Sequence, residues 1–60
     1  GYTPLHAAAQ NGDVELLELL LSAGANPSVA KDDGETPAQT AEAAGHADVA
    51  RRLREVAAAR

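Results

Sequence analysis

An all-α fold of stacked helix–turn–helix units is what this 60-residue sequence predicts, from three observations. Gly1-Tyr2-Thr3-Pro4 returns as Gly34-Glu35-Thr36-Pro37, an offset of 33 residues. Gly12 returns as Gly45 at the same offset, so one structural unit has been copied without insertion. Between these marks the apolar residues fall at helical spacing, Leu16, Leu17, Leu20 and Leu21 forming one face. Repetition at this period indicates an extended array, a solenoid of which the chain holds a first unit at 1–33 and a degenerate second at 34–60. Arrays of this kind usually serve as binding surfaces.

The first helix opens at Thr3-Pro4. A threonine hydroxyl accepts a backbone N–H at the N-cap, and proline is pre-set for the first helical position. The helix is expected to run from about Pro4 to Gln10. Ala7, Ala8 and Ala9 leave it so little bulk that a neighbouring helix can approach closely. Asn11-Gly12 ends it, with glycine free to take the left-handed cap. Asp13 caps the second helix, Glu15 complements the positive end of its dipole, and Gly24 closes it. From Ala25 to Asp33, Asn26-Pro27 and Asp32-Asp33-Gly34 indicate an extended loop with turns.

The second unit repeats this plan with more polar residues. Thr36-Pro37-Ala38-Gln39 restores the helix start, and Gln39 completes a capping box. Leu16 and Leu20 correspond to Val49 and Leu53, so one packing stripe survives, and Val56 carries it onward. Ala9 and Leu21, however, become Glu42 and Arg54. Charges are not buried without partners, so this outer face is expected to meet water, as on a terminal cap.

Composition narrows the rest. A chain this short buries only about 60% of the surface its unfolded form exposes, and its apolar content is mostly alanine and leucine. With no cysteine there is neither a disulfide nor a thiolate metal site, and a cytosolic setting is consistent with that. A net charge of −4 disfavours nonspecific nucleic-acid binding. No segment is long and apolar enough to span a membrane. The chain begins at Gly1, without methionine and at a repeat boundary, and is expected to be a piece of something longer.

Several residues invite a functional reading. His6 is expected to hydrogen-bond near Thr3 and steady the turn, since polar groups near a core are satisfied locally. His46 follows a glycine and either caps the last helix or sits exposed. Two histidines a repeat apart make a poor metal site, and no cofactor is expected. Asp32, Asp33 and Glu35 gather three carboxylates on one loop. They form either a solvated acidic turn or a contact for a basic partner. Catalysis needs a cleft that shifts their pKa values, and calcium needs a 12-residue loop pattern that is missing. Tyr2, the one aromatic residue, either anchors a partner or lies flat on its own repeat. Arg51, Arg52, Arg54 and Arg60 suggest phosphate at first, but Glu42, Asp48 and Glu55 lie close in sequence, which favours a solvated helix face.

Taken together, Gly1-Tyr2-Thr3-Pro4-Leu5-His6-Ala7-Ala8-Ala9, Gly12, Val14 to Leu21 and Gly24-Ala25-Asn26 closely resemble an ankyrin repeat, and 34–60 resembles a degenerate C-terminal capping repeat. Two positions depart from the pattern. Lys31 stands where the family usually has an aspartate bracing the turn, and Gln39 replaces the family's histidine. The resemblance implies paired antiparallel helices with a projecting loop finger, and a protein–protein interaction scaffold rather than an enzyme. Carried over by position, partner contacts would fall on Tyr2, Gln10 and Asn11 in the first unit. Ala30, Asp32, Asp33, Glu35, Ala43 and Ala44 would be those around the second. The alternative is a purely structural cap that touches no partner. Leu5, Ala8 and Leu16 are expected to lack cover from a preceding repeat, which would let two chains pair through that end.

Overall fold

The protein, here a computed structural model, is described for residues 2–59; Gly1 of the opening motif and Arg60 of the arginine group lie outside the described residues. Helices α1 (Pro4–Asn11) and α2 (Val14–Ser22) fall in the first repeat, and α3 (Pro37–Ala43) and α4 (Ala47–Ala59) in the second. Among the described residues there is no strand. None of their helices is long and apolar enough to cross a membrane.

The starts of α1, α2 and α3 follow from their local sequence. Thr3 and Thr36 sit in extended backbone, and each hydroxyl accepts the N–H three residues on, from His6 and Gln39. His6 and Gln39 in turn accept the N–H of Thr3 and Thr36, so both capping boxes are closed. The Asp13 carboxylate accepts the Leu16 N–H at 3.1 Å and starts α2. Gly12 ends α1 at φ 68°, a conformation costly for any residue with a Cβ.

The helices pack as pairs within each repeat, and α1 stacks on α3 between repeats. The core joins Leu5, Ala8, Ala9, Leu17 and Leu21 to Ala38, Ala41, Val49, Ala50 and Leu53. Alanines on α1 and α3 let the backbones approach; the leucines supply the bulk, each buried leucine worth about 1.5–3 kcal/mol.

One expectation about this core is overturned. Leu5 and Ala8 are 2% and 0% exposed, so the first repeat covers them without a preceding unit. Helical geometry turns them inward, towards α2 and α3. The surface left open at that end belongs to Pro4, Leu16 and Leu20, the two leucines being half-buried. The four-leucine face of α2 is accordingly split, with only Leu17 and Leu21 fully buried.

Between the repeats the loop is held by short-range bonds. Asn26 Oδ1 accepts the Ser28 N–H at 2.9 Å. The Lys31 N–H donates to the Glu35 carbonyl at 2.9 Å, and the Gly34 N–H to the Lys31 carbonyl at 2.8 Å. With lysine at position 31, the bracing carboxylate comes from Asp33, whose Oδ1 accepts the Glu35 N–H at 2.9 Å.

Candidate partner-binding face

His6 is fully buried and ties three segments together. Its Nδ1 lies 2.8 Å from Thr3 Oγ1 and accepts the Thr3 N–H at 3.3 Å. Its Nε2 lies 2.9 Å from the Glu35 carbonyl oxygen. A carbonyl only accepts, so Nε2 carries the proton and Nδ1 serves as acceptor for the Thr3 groups. Both ring nitrogens are thereby engaged, and the ring steadies the turn as expected. It also joins the first helix to the start of the second repeat.

Tyr2 lies over this histidine. Their ring centroids are 5.8 Å apart at a tilt of 30°, and the Tyr2 hydroxyl donates to Gln10 Oε1 at 3.0 Å. Lys31 Nζ sits 5.8 Å from the tyrosine ring centroid, within reach of a cation–π attraction. The ring rests on its own repeat and remains 56% exposed.

Glu35 is the most constrained of the loop carboxylates. Lys31 Nζ lies 2.8 Å from its Oε1, and the Thr40 hydroxyl donates to the same oxygen at 2.8 Å. The hydrogen bond from Lys31, then that from Thr40, holds its pKa below the usual carboxylate value. Glu35 raises the Lys31 pKa in return. Asp32 and Asp33 are exposed beside this pair.

Two adjoining depressions gather most of the expected contact residues. One is lined by Gln10, Lys31, Glu35, Thr40, Ala43 and Ala44, the other by Tyr2, Lys31, Asp32 and Asp33. Lys31 borders both. Asn11 and Ala30 are exposed but line neither. Lys31 and Thr40 were not among the residues expected here. Nearness to Glu35, four residues after Lys31 and five before Thr40, is the one hint the sequence holds, and it does not by itself bring the three side chains together.

Of the remaining charged and ring groups, Arg52 and His46 reach across to the first repeat. Arg52 forms a two-pronged bond across the repeats to Glu18, at 2.6 and 2.9 Å. Arg54 bonds Glu42, and Arg51 lies 4.0 Å from Glu55. These arginines are answered by carboxylates, as a solvated face requires. The His46 carbonyl accepts the Ala50 N–H, and its half-buried ring lies against Gly12 of the first repeat. Among the described residues, no three His, Asp or Glu side chains gather to hold a metal ion.

Comparison with known proteins follows this geometry. The family profile described as Ankyrin repeat matches residues 1–32. The chain is 51% identical over 57 residues to human Espin-like protein, covering 95% of this chain and 6% of that one. It is 47% identical over 53 residues to the Putative E3 ubiquitin-protein ligase XBAT34 of Arabidopsis thaliana, covering 88% and 14%. Mouse ARF GTPase-activating protein GIT2 shares 41% over 56 residues, covering 93% and 8%. The chain thus spans a small fraction of each relative's length. The tandem capping boxes, the stacked alanine-rich helices and the matched profile agree: this chain belongs to the ankyrin repeat family.

Proposed function

We propose that the chain is a recognition module that seats a partner protein on the face formed by its loop finger and the ends of α1 and α3. Ankyrin repeats generally bind other proteins. The observation that carries the finer reading is the two depressions joined at Lys31. Ala43 and Ala44, which line the depression beside Gln10, have little bulk, so a partner's side chain can enter there. Tyr2 and Gln10 form a rigid, hydrogen-bonded wall that costs little entropy to present. Asp32 and Asp33 add negative charge at one rim, which suits a basic partner surface. The module acts by display, not by catalysis: His6 spends both ring nitrogens on structure, and Glu35 is committed to Lys31 and Thr40.

A purely structural role as a terminal cap has its own support in Glu42 and Arg54, paired on the exposed face where the first repeat has Ala9 and Leu21. Titration of a captured partner separates the two readings. Tyr2→Ala and Ala44→Arg are expected to weaken binding at least about tenfold with unchanged melting, as loss of an anchor and filling of a pocket do. Glu15→Arg, on the outer helix, is expected to leave affinity unaltered. Binding indifferent to both face variants would remove this face from the account.

A further inference from the structure

The chain has two asparagines, and the residue after each decides its chemistry. Asn26 precedes Pro27, whose ring nitrogen has no proton to give up and is a poor nucleophile. Asn11 is exposed and precedes Gly12, the neighbour that hinders attack on a side-chain amide least. At the same turn the second repeat reads Ala44-Gly45, which holds no amide. Only the first turn therefore sets a backbone nitrogen beside a side chain it can attack.

The fold keeps that turn shut in two ways. Asn11 ends α1, and the Gly12 N–H donates to the carbonyls of Ala8 and Ala9, the latter at 3.3 Å. While these bonds last the Gly12 nitrogen keeps its proton, and Asn11 keeps a helical ψ that holds its amide away from that nitrogen. The His46 ring of the other repeat also closes over Gly12. A Cβ there would lie 2.7 Å from His46 Cε1 and 2.9 Å from Nε2, whereas one at Gly45 would face open space. Bringing the Gly12 nitrogen to Asn11 moves the backbone on which that ring rests.

We propose that Asn11-Gly12 is a self-modifying site, closed in the stacked chain and open when the first turn frays, whose isoaspartate product breaks the contact with His46. In the opened turn the Gly12 nitrogen, its proton lost to water, attacks Asn11 Cγ. The N–Cγ bond forms, the Cγ–Nδ2 bond breaks, and the amide nitrogen leaves as ammonia with a proton taken from water. Water then opens the cyclic imide. Addition at Cγ gives aspartate, and addition at the main-chain carbonyl gives isoaspartate; nothing is oxidised or reduced. Aspartate leaves the backbone unaltered and adds one negative charge at the carbonyl end of α1. Isoaspartate routes the chain through Cγ and so inserts a methylene just ahead of Gly12. The ring leaves Gly12 no room even for a Cβ, so the displaced backbone and His46 cannot both keep their places.

The test follows the mass of the peptide holding Asn11, in which an amide becomes an acid, at neutral pH in buffer and in urea. Asp33-Gly34 can isomerise by the same route but without change of mass, so it does not interfere. Conversion is expected to be at least about tenfold slower in buffer, where attack awaits opening of the turn. It is expected to be lost in Asn11→Gln. A synthetic chain with isoaspartate at position 11 supplies the second arm. It is expected to melt at least about 4 °C below Asn11→Asp, which carries the same charge. His46→Ala, which removes the contact beforehand, is expected to narrow that gap. Equal rates in buffer and urea would overturn the proposal. So would equal melting of the isoaspartate and Asn11→Asp chains, or a gap that His46→Ala leaves unchanged.

Discussion

Leu20 and Leu53 hold the same position in two copies of one unit, yet Leu53 is 0% exposed and Leu20 is only half-buried. The residue type and the helix are alike; the difference is the neighbour. Leu53 has the first repeat in front of it, and Leu20 has solvent. Burial in a stack is thus conferred by the adjacent unit as much as by the residue's own helix, and mutations at equivalent positions should not have equal effects.

The largest test of that contrast is truncation. Leu53→Ala is expected to cost about 2–5 kcal/mol, and Leu20→Ala about 1–2 kcal/mol, because less area and a smaller cavity are at stake. A domain of this size holds only on the order of 3–9 kcal/mol in all, so Leu53→Ala should leave much of the chain unfolded at 37 °C. Thermal melts followed by circular dichroism measure both; equal losses would break the comparison.

The two helix-ending glycines sharpen it. Gly12 and Gly45 both adopt positive φ, 68° and 85°. A Cβ at Gly45 meets nothing within 4 Å, whereas one at Gly12 would lie 2.7–2.9 Å from the His46 ring. Gly45→Ala should therefore cost only the left-handed strain, about 1–2 kcal/mol. Gly12→Ala should cost at least about 1 kcal/mol more, since the ring must move. Urea denaturation midpoints at unchanged m-value would report the gap.

A smaller difference is expected between the two caps. Thr36→Ala should cost about 1 kcal/mol through the lost N-cap bond. Thr3→Ala should exceed it by about 0.5–1 kcal/mol, because the same hydroxyl also orients buried His6. Paired melts of the two variants decide it.

Acid supplies the smallest effect. Hydrogen bonds from Arg52, Lys31 and Arg54 hold Glu18, Glu35 and Glu42 below their ordinary pKa. The native state then binds these protons less readily than the unfolded chain. Their contribution is fully present above the unfolded value of about 4.3 and is lost as pH falls through the lowered native values. Melting temperature is expected to drop across that window. Glu35→Gln, which removes a half-buried carboxylate with two partners, should flatten the drop more than Glu42→Gln on the open face. The reverse order would mean that the outer pair matters more than the loop.

What the sequence made legible was local. Thr3, Asp13, Thr36 and Gln39 act on groups three residues away, and Gly12 on its own backbone, so spacing alone identifies them. The 33-residue repetition and the surviving leucines sufficed for the helices and their pairing. What stayed hidden depends on stacking. His6 bonds a carbonyl 29 residues away, Arg52 a carboxylate 34 away, and His46 rests on a glycine of the other repeat. None of these leaves a periodic trace. Leu5 and Ala8 were misjudged for the same reason, since apolarity says that a side chain is buried but not which neighbour buries it. Of the candidate face, Tyr2, Gln10 and the acidic loop were readable from the family pattern. The Lys31–Glu35–Thr40 cluster was not, because it needs the loop folded against α3.

The histidine bridge has a consequence for how the chain opens. His6 closes the start of α1 and at the same time holds the carbonyl where the second repeat begins. Fraying of that helix end must release the loop, and lifting the loop must expose a buried imidazole. The two motions are thus linked through one side chain, in addition to the coupling that the shared core and the Arg52–Glu18 pair give the repeats. Amide protons at the first helix end and around the loop should consequently exchange with solvent as one cooperative unit rather than as two.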